Sequence, residues 1–243
     1  MLQINKEKYA REFIDNLTLH DFLELMKSKD YKPYQYKEIN YKDRNVQLEE
    51  KKNYILSVFS EVVYEYASRY NRLPTPHEYA LYKITTVLEK LAEEGIEVNG
   101  EVKKAIYNRK VNGYISFMAE IQAKKTMNLL LSTKYHILCT DTMDFKGVDL
   151  AVRNKHTNKV AYIHITSNTH HARAKALEKA NKFGRNFDGH LWMFYDKKTL
   201  SQLADEELPE LSTDTTKEWN NYYFFKEKYI KQIINLIEDK TNI

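Results

Sequence analysis

Apolar side chains along the first hundred residues recur at helical rather than alternating spacing. Tyr9, Phe13 and Leu17, then Phe22 and Leu25, follow a pattern that breaks between Thr18 and Asp21, which predicts two short helices between Ile4 and Lys29. Asp30 to Asn45 shows no clean period and holds four tyrosines, a proline and many charges, which predicts an irregular connection. From Val46 to Tyr70 the period returns, with Leu48, Tyr54, Val58, Val62, Tyr66 and Tyr70 near one face of a helix. Thr75, Pro76 and Glu78 spell a capping box with proline at the first helical position. The helix they open is expected to run to about Glu94 and to be closed by Gly95. Asn99 and Gly100 read as a turn, followed by a long helix from about Glu101 through the thirties of that block, bent near Gly113.

The period then switches. Tyr135 to Asp141, Lys146 to Asn154 and Lys159 to Thr166 are short and strand-like, with the turn-rich NKHTN between the last two. Thr169 to Gly184 reads as a helix ending in glycine, His190 to Tyr195 as a buried strand, and Lys217 to Asp239 as one closing amphipathic helix. The expected organisation is a helical region over residues 1–100 and an α/β core over 101–243. No Gly/Ser-rich linker separates them, so the two can equally pack as one unit.

Composition narrows the class. Of 243 residues, 42% are hydrophobic and 30% charged, with 6 Gly and 4 Pro, which indicates an ordered, helix-rich globular chain. A formal charge of +4 is compatible with nucleic acid without demanding it. The single cysteine, Cys139, cannot form an intramolecular disulfide and suits a reducing compartment. No apolar run has the length of a membrane span, and the N-terminus lacks a signal peptide's apolar core, so a cytoplasmic location is expected. The abundance of lysine, asparagine and tyrosine hints at an AT-rich genome.

The candidate chemistry lies in the hairpin GVDLAVRNKHTNKVAYIHIT, Gly147 to Thr166. Alternation along a strand puts His164 and Thr166 on one face, and Ile163 and Ile165 on the opposite, apolar one. A turn around Lys155 to Asn158 brings Asp149 across from His164 and Thr166. Phosphodiester hydrolysis needs such neighbouring ligands, because a divalent metal neutralises phosphate charge and lowers the pKa of a bound water. Each residue also has a plainer reading: Asp149 as an edge carboxylate, His164 as a hydrogen-bonded core histidine, Thr166 as a cap for the turn TSNT, and Glu120 as an exposed helix charge. Trp192 and Phe194 read as core.

The order helix, strand, strand, strand, helix, strand, with Asp149 on the second strand and His164-x-Thr166 late on the third, resembles the PD-(D/E)XK nuclease superfamily over about Glu101 to Tyr195. The resemblance implies a restriction-endonuclease-like α/β fold and, if active, a nuclease using a divalent metal, Mg²⁺ or Mn²⁺. It implies Asp149 as metal ligand, His164 where the second acid falls and Thr166 where the water-positioning lysine falls. Glu120, in FMAEIQAKK, matches the glutamate of the preceding helix, and Gly147 a glycine two residues before the aspartate. Histidine is a poor ligand for Mg²⁺ but binds softer divalent ions, and threonine supplies no positive charge. Either Arg173 or Lys175 of the next helix substitutes, or the site does not cut and the fold serves as a module binding nucleic acid or a protein partner, as in a phage or mobile-element setting.

Three further groups carry candidate chemistry. Arg173, Lys175, Lys179, Lys182 and Arg185 follow the hairpin, and positions 175, 179 and 182 share a helical face that suits a DNA or RNA backbone or serves as a solvated face. His136, Cys139, His164, His170 and His171 include only one pair at zinc-ligand spacing, which argues against structural zinc. The tyrosines and lysines of residues 30–45 either stack on bases and neutralise phosphates, or form a solvated linker.

Overall fold

A computed structural model describes residues 14–39, 59–93, 95, 97–138, 148–169, 172, 174, 178, 189–195, 216–219 and 222–242. Its helices are α1 (Leu19–Lys27), α2 (Phe59–Tyr70), α3 (Pro76–Glu93), α4 (Gly100–Leu130) and α5 (Glu227–Asn242). Its strands are β1 (Tyr135–Leu138), β2 (Leu150–Asn154), β3 (Val160–Ser167), β4 (His190–Tyr195), β5 (Thr216–Trp219) and β6 (Tyr222–Phe225). The fold is mixed α/β. The chain divides into two compact units, residues 1–117 and 118–243, and the division falls inside α4.

In the first unit, helix starts follow side-chain chemistry. The break at Thr18 is an N-cap, with its hydroxyl accepting from Asp21 N–H at 3.0 Å. Thr75 and Glu78 form the expected capping box reciprocally: Glu78 N–H donates to Thr75 Oγ1 at 3.2 Å, and Thr75 N–H to Glu78 Oε2 at 2.8 Å. Arg72 adds a fork onto the same carboxylate, at 2.8 and 2.5 Å. The two carbonyls before the box, of Leu73 and Pro74, accept from the buried hydroxyls of Tyr31 at 2.8 Å and Tyr114 at 2.5 Å. Gly95 follows α3 with φ +72°, a conformation that glycine adopts without steric cost. Asn99 is not only a turn residue: its side chain accepts from Val102 N–H at 2.9 Å and caps α4. Val87 and Leu91 of α3 pack with Ala105 and Ile106 of α4.

In the second unit, a four-stranded sheet runs in the order β1-β2-β3-β4. β1/β2 and β2/β3 are antiparallel, and β3/β4 are parallel. A parallel pair cannot be joined by a tight hairpin. Ala172, Ala174 and Glu178 between β3 and β4 are helical, and Ala172 N–H donates to Thr169 Oγ1 at 3.2 Å. The cap before this helix is thus Thr169 and not Thr166. The β2–β3 turn is where it was expected, with Asn158 at φ +58° and Asn158 N–H donating to Asn154 C=O at 2.9 Å. Gly189 is needed for room, because a Cβ there would lie 2.8 Å from the Val160 carbonyl oxygen.

One sheet face is the core. Tyr135, Leu150, Val152, Ala161, Ile163, Ile165, Leu191 and Met193 lie in one buried cluster with Ala119, Ala123 and Met127 of α4 and Tyr229, Ile230, Ile233 and Ile237 of α5. The small Ala119 and Ala123, one turn apart, allow α4 to approach closely.

The single closing helix expected over Lys217 to Asp239 is corrected. Its first part forms the β5–β6 hairpin, with Trp219 paired to Tyr222, and α5 begins only at Glu227. Tyr222, Tyr223, Phe224 and Phe225 are consecutive aromatics, which favour the pleated conformation over helix.

Thr75→Ala is expected to cost about 1 kcal/mol, read from urea unfolding. The Arg72 fork holds the Glu78 carboxyl down to about 2, below its ordinary 4.5. Its stabilisation is therefore complete above about pH 4.5 and fades as pH falls toward 2, so Glu78→Gln should flatten that part of the stability profile. Ile163→Ala, in the sheet core, is expected to cost about 2–5 kcal/mol by the same measurement.

Candidate functional site

Asp149 immediately precedes β2, and the β2–β3 register of Leu150 to Ile163 brings it alongside His164. Its own N–H donates to Ile163 C=O at 3.0 Å, and its carboxylate accepts from Ile165 N–H. Asp149 thereby bridges the main chain on both sides of His164. Its carboxylate takes the place that a strand carbonyl would fill and prolongs the β2–β3 ladder beyond Leu150. A half-buried acid here has a structural occupation that its spacing alone does not reveal.

As alternation requires, Ile163 and Ile165 enter the core. His164, only 5% exposed, lies on the other face. The parallel register sets His164 beside Trp192, Tyr162 beside His190, and Thr166 beside Phe194. His164 Nε2 lies 2.7 Å from His190 Nδ1, so one imidazole donates and the other accepts. The His164 ring also stacks on Trp192 at 4.7 Å and 16°, while the His190 ring lies edge to edge with it through that hydrogen bond, nearly coplanar at 17°. Tyr162 extends the row onto His190 at 4.9 Å. The result is a layer of aromatic and imidazole rings on the second sheet face, with Asp149 at its β2 edge. Burial pushes the His190 imidazole below its ordinary value.

The expected site residues separate. Asp149 and His164 are neighbours, and Thr166 is half-buried two residues along the same strand face. Glu120 is half-buried on α4, the helix that lays Ala119 and Ala123 against the opposite, core face. Among the described residues, no group of three or more His, Cys, Asp or Glu side chains converges to hold a metal ion. To ligate through Nε2, His164 would have to give up His190. To ligate through its bonded oxygen, Asp149 would have to give up Ile165 N–H.

Gly147, Cys139, His170, His171, Arg173, Lys175, Lys179, Lys182 and Arg185 lie outside the described residues. His136 is exposed on β1. No helix among the described residues is long and apolar enough to cross a membrane.

Sequence reasoning missed His190 as a partner. A signal existed in His190-x-Trp192, which has the same period as His164-x-Thr166, but only the parallel register joins the two pairs. No family model, curated protein or solved structure matches this chain.

The depressed His190 value carries a sign. Unfolded His190 takes up a proton near pH 6.5, before folded His190 does, so stability is complete above about pH 6.5 and falls as pH drops through the folded value. Urea midpoints should therefore decline as pH falls below about 6.5, and His190→Asn should reduce that decline. An equal decline in the variant would place its source elsewhere.

Proposed function

We propose that residues 118–243 form a restriction-endonuclease-like core that binds nucleic acid and has turned the position of the metal site to structural use. The observation that carries the reading is the 2.7 Å contact between His164 Nε2 and His190 Nδ1, which occupies the candidate ligand atom. The carboxylate of Asp149, engaged by Ile165 N–H, supports it from the other strand. Support for the fold comes from the element order: α4, then β1, β2 and β3, then helical residues 172, 174 and 178, then β4 parallel to β3.

Phosphate contacts fall to the basic residues that follow β3. Lys175, Lys179 and Lys182 recur at i, i+4 and i+7, beside the helical residues Ala174 and Glu178. Lysines on one face bind a phosphate backbone through charge and read no sequence.

Asp149→Asn is the suitable control for activity, because asparagine keeps an acceptor for Ile165 N–H. Asp149→Ala would leave that N–H unpaired at a cost of about 1–3 kcal/mol and confuse loss of function with loss of fold. With plasmid DNA and structured RNA, in Mg²⁺ and in Mn²⁺, the expected result is no cleavage above that of Asp149→Asn. Binding should weaken with salt, with a log–log slope of about −0.9 for each duplex phosphate contacted. The triple change of Lys175, Lys179 and Lys182 to alanine should flatten that slope by about 1 per lysine. Metal-dependent cleavage lost in Asp149→Asn would restore the enzyme reading, and absence of both cleavage and binding would remove nucleic acid altogether.

A further inference from the structure

The first unit carries a row of rings that the sheet and its site do not use. Tyr34, 62% exposed, lies edge-on to Tyr36, with centroids 5.5 Å apart at 84°. Tyr36 meets the buried Tyr107 at 5.3 Å and 69°, and Tyr107 OH lies 3.0 Å from Nδ1 of the exposed His77. Lys104 Nζ stands 5.2 Å over the Tyr36 ring and pairs with Glu38 at 3.4 Å. Lys32 and Lys37, on either side of the tyrosine pair, are exposed.

The segment bearing Tyr34 is held firmly. Asn108, 2% exposed, accepts from Tyr36 N–H at 2.8 Å and donates to the carbonyls of Tyr36 at 2.8 Å and Ile39 at 3.3 Å. Three residues before Tyr34, the buried Tyr31 hydroxyl is bonded to Leu73 C=O. Pro33, also buried, restricts the residue between these anchors. An exposed tyrosine on a mobile loop would lose much of its contact energy to ordering. Here that ordering is already in place, and the ring is presented between lysines.

We propose that Tyr34, with Tyr36, Lys32, Lys37 and Lys104, forms a stacking ledge for single-stranded nucleic acid. Every unpaired base offers a π-face to an exposed ring, and the ammonium groups meet the backbone whatever its sequence. A duplex hides those faces in its own stack. Among residues 31–39 the exposed side chains are Lys32, Tyr34, Lys37 and Glu38, the last paired with Lys104, and none is aliphatic, which favours a nucleic acid over an apolar protein surface.

The test compares fluorescence anisotropy of a labelled oligothymidylate and of a labelled duplex with the whole chain and two variants. Tyr34→Ala should weaken oligothymidylate binding about tenfold while leaving duplex binding unchanged, and Tyr34→Phe should retain it. Because Tyr34 is mostly exposed, both variants should keep the wild-type unfolding midpoint. Single-strand binding that is absent in the wild type, or equal in wild type and Tyr34→Ala, would overturn the ledge. Duplex binding in the same experiment reports on the sheet-bearing core, so the failure of one reading is distinguishable from that of the other.

Discussion

A buried side-chain amide can satisfy the N–H and the C=O of another residue at once, and α4 does this in each unit. Asn108 grips Tyr36 through both main-chain groups. Gln122, 4% exposed, does the same to Phe225, accepting from its N–H at 2.9 Å and donating to its C=O at 3.0 Å. The Gln122 amide is itself fixed by Thr126, whose hydroxyl accepts from Nε2 and donates to the main-chain carbonyl of Gln122, each at 3.0 Å. Backbone that passes beside a helix outside a sheet must find hydrogen-bond partners, and each buried group left without one costs about 1–3 kcal/mol. The extended segment before Ile39 and the end of β6 depend on these two clamps. Asn154 plays a related part at the β2–β3 turn, accepting from His156 N–H and donating to the Asn242 side chain at the end of α5.

The sheet places different chemistry on its two faces. Its core face is mainly apolar and meets α4 and α5. Its second face carries Tyr162, His164, His190 and Trp192 as a row of rings in contact, with His164 stacked on Trp192 and hydrogen-bonded to His190. A row of that kind rigidifies a sheet and offers few free polar atoms, because each imidazole nitrogen used inside it is withdrawn from solvent or cation. Asp149 follows the same logic through its bond to the main chain. Residue types that invite a metal-site reading in the sequence therefore have occupations within the fold.

Local chemistry was legible residue by residue. Thr75, Pro76 and Glu78 opened a helix because a capping box satisfies its own end whatever surrounds it. The hairpin turn and the alternation of Ile163 and Ile165 were equally readable, since period two allows only one face to be apolar. Residues 217–225 were misread because aromatics and lysines also fit a helical period over so short a run. The end of that run is held by Gln122, which clamps Phe225 from 103 positions away.

By itself the sequence determined helix starts, turns and which side of each strand would be buried, because those depend on groups within a few residues of one another. Only tertiary structure decided what His164 and Asp149 do. The parallel β3–β4 register sets His190 and Trp192 against an imidazole 26 and 28 residues earlier, and strand pairing turns a carboxylate onto the Ile165 N–H. Such contacts depend on which strands become neighbours, a choice made by burial of the whole sheet face against α4 and α5 and written in no single stretch of the chain.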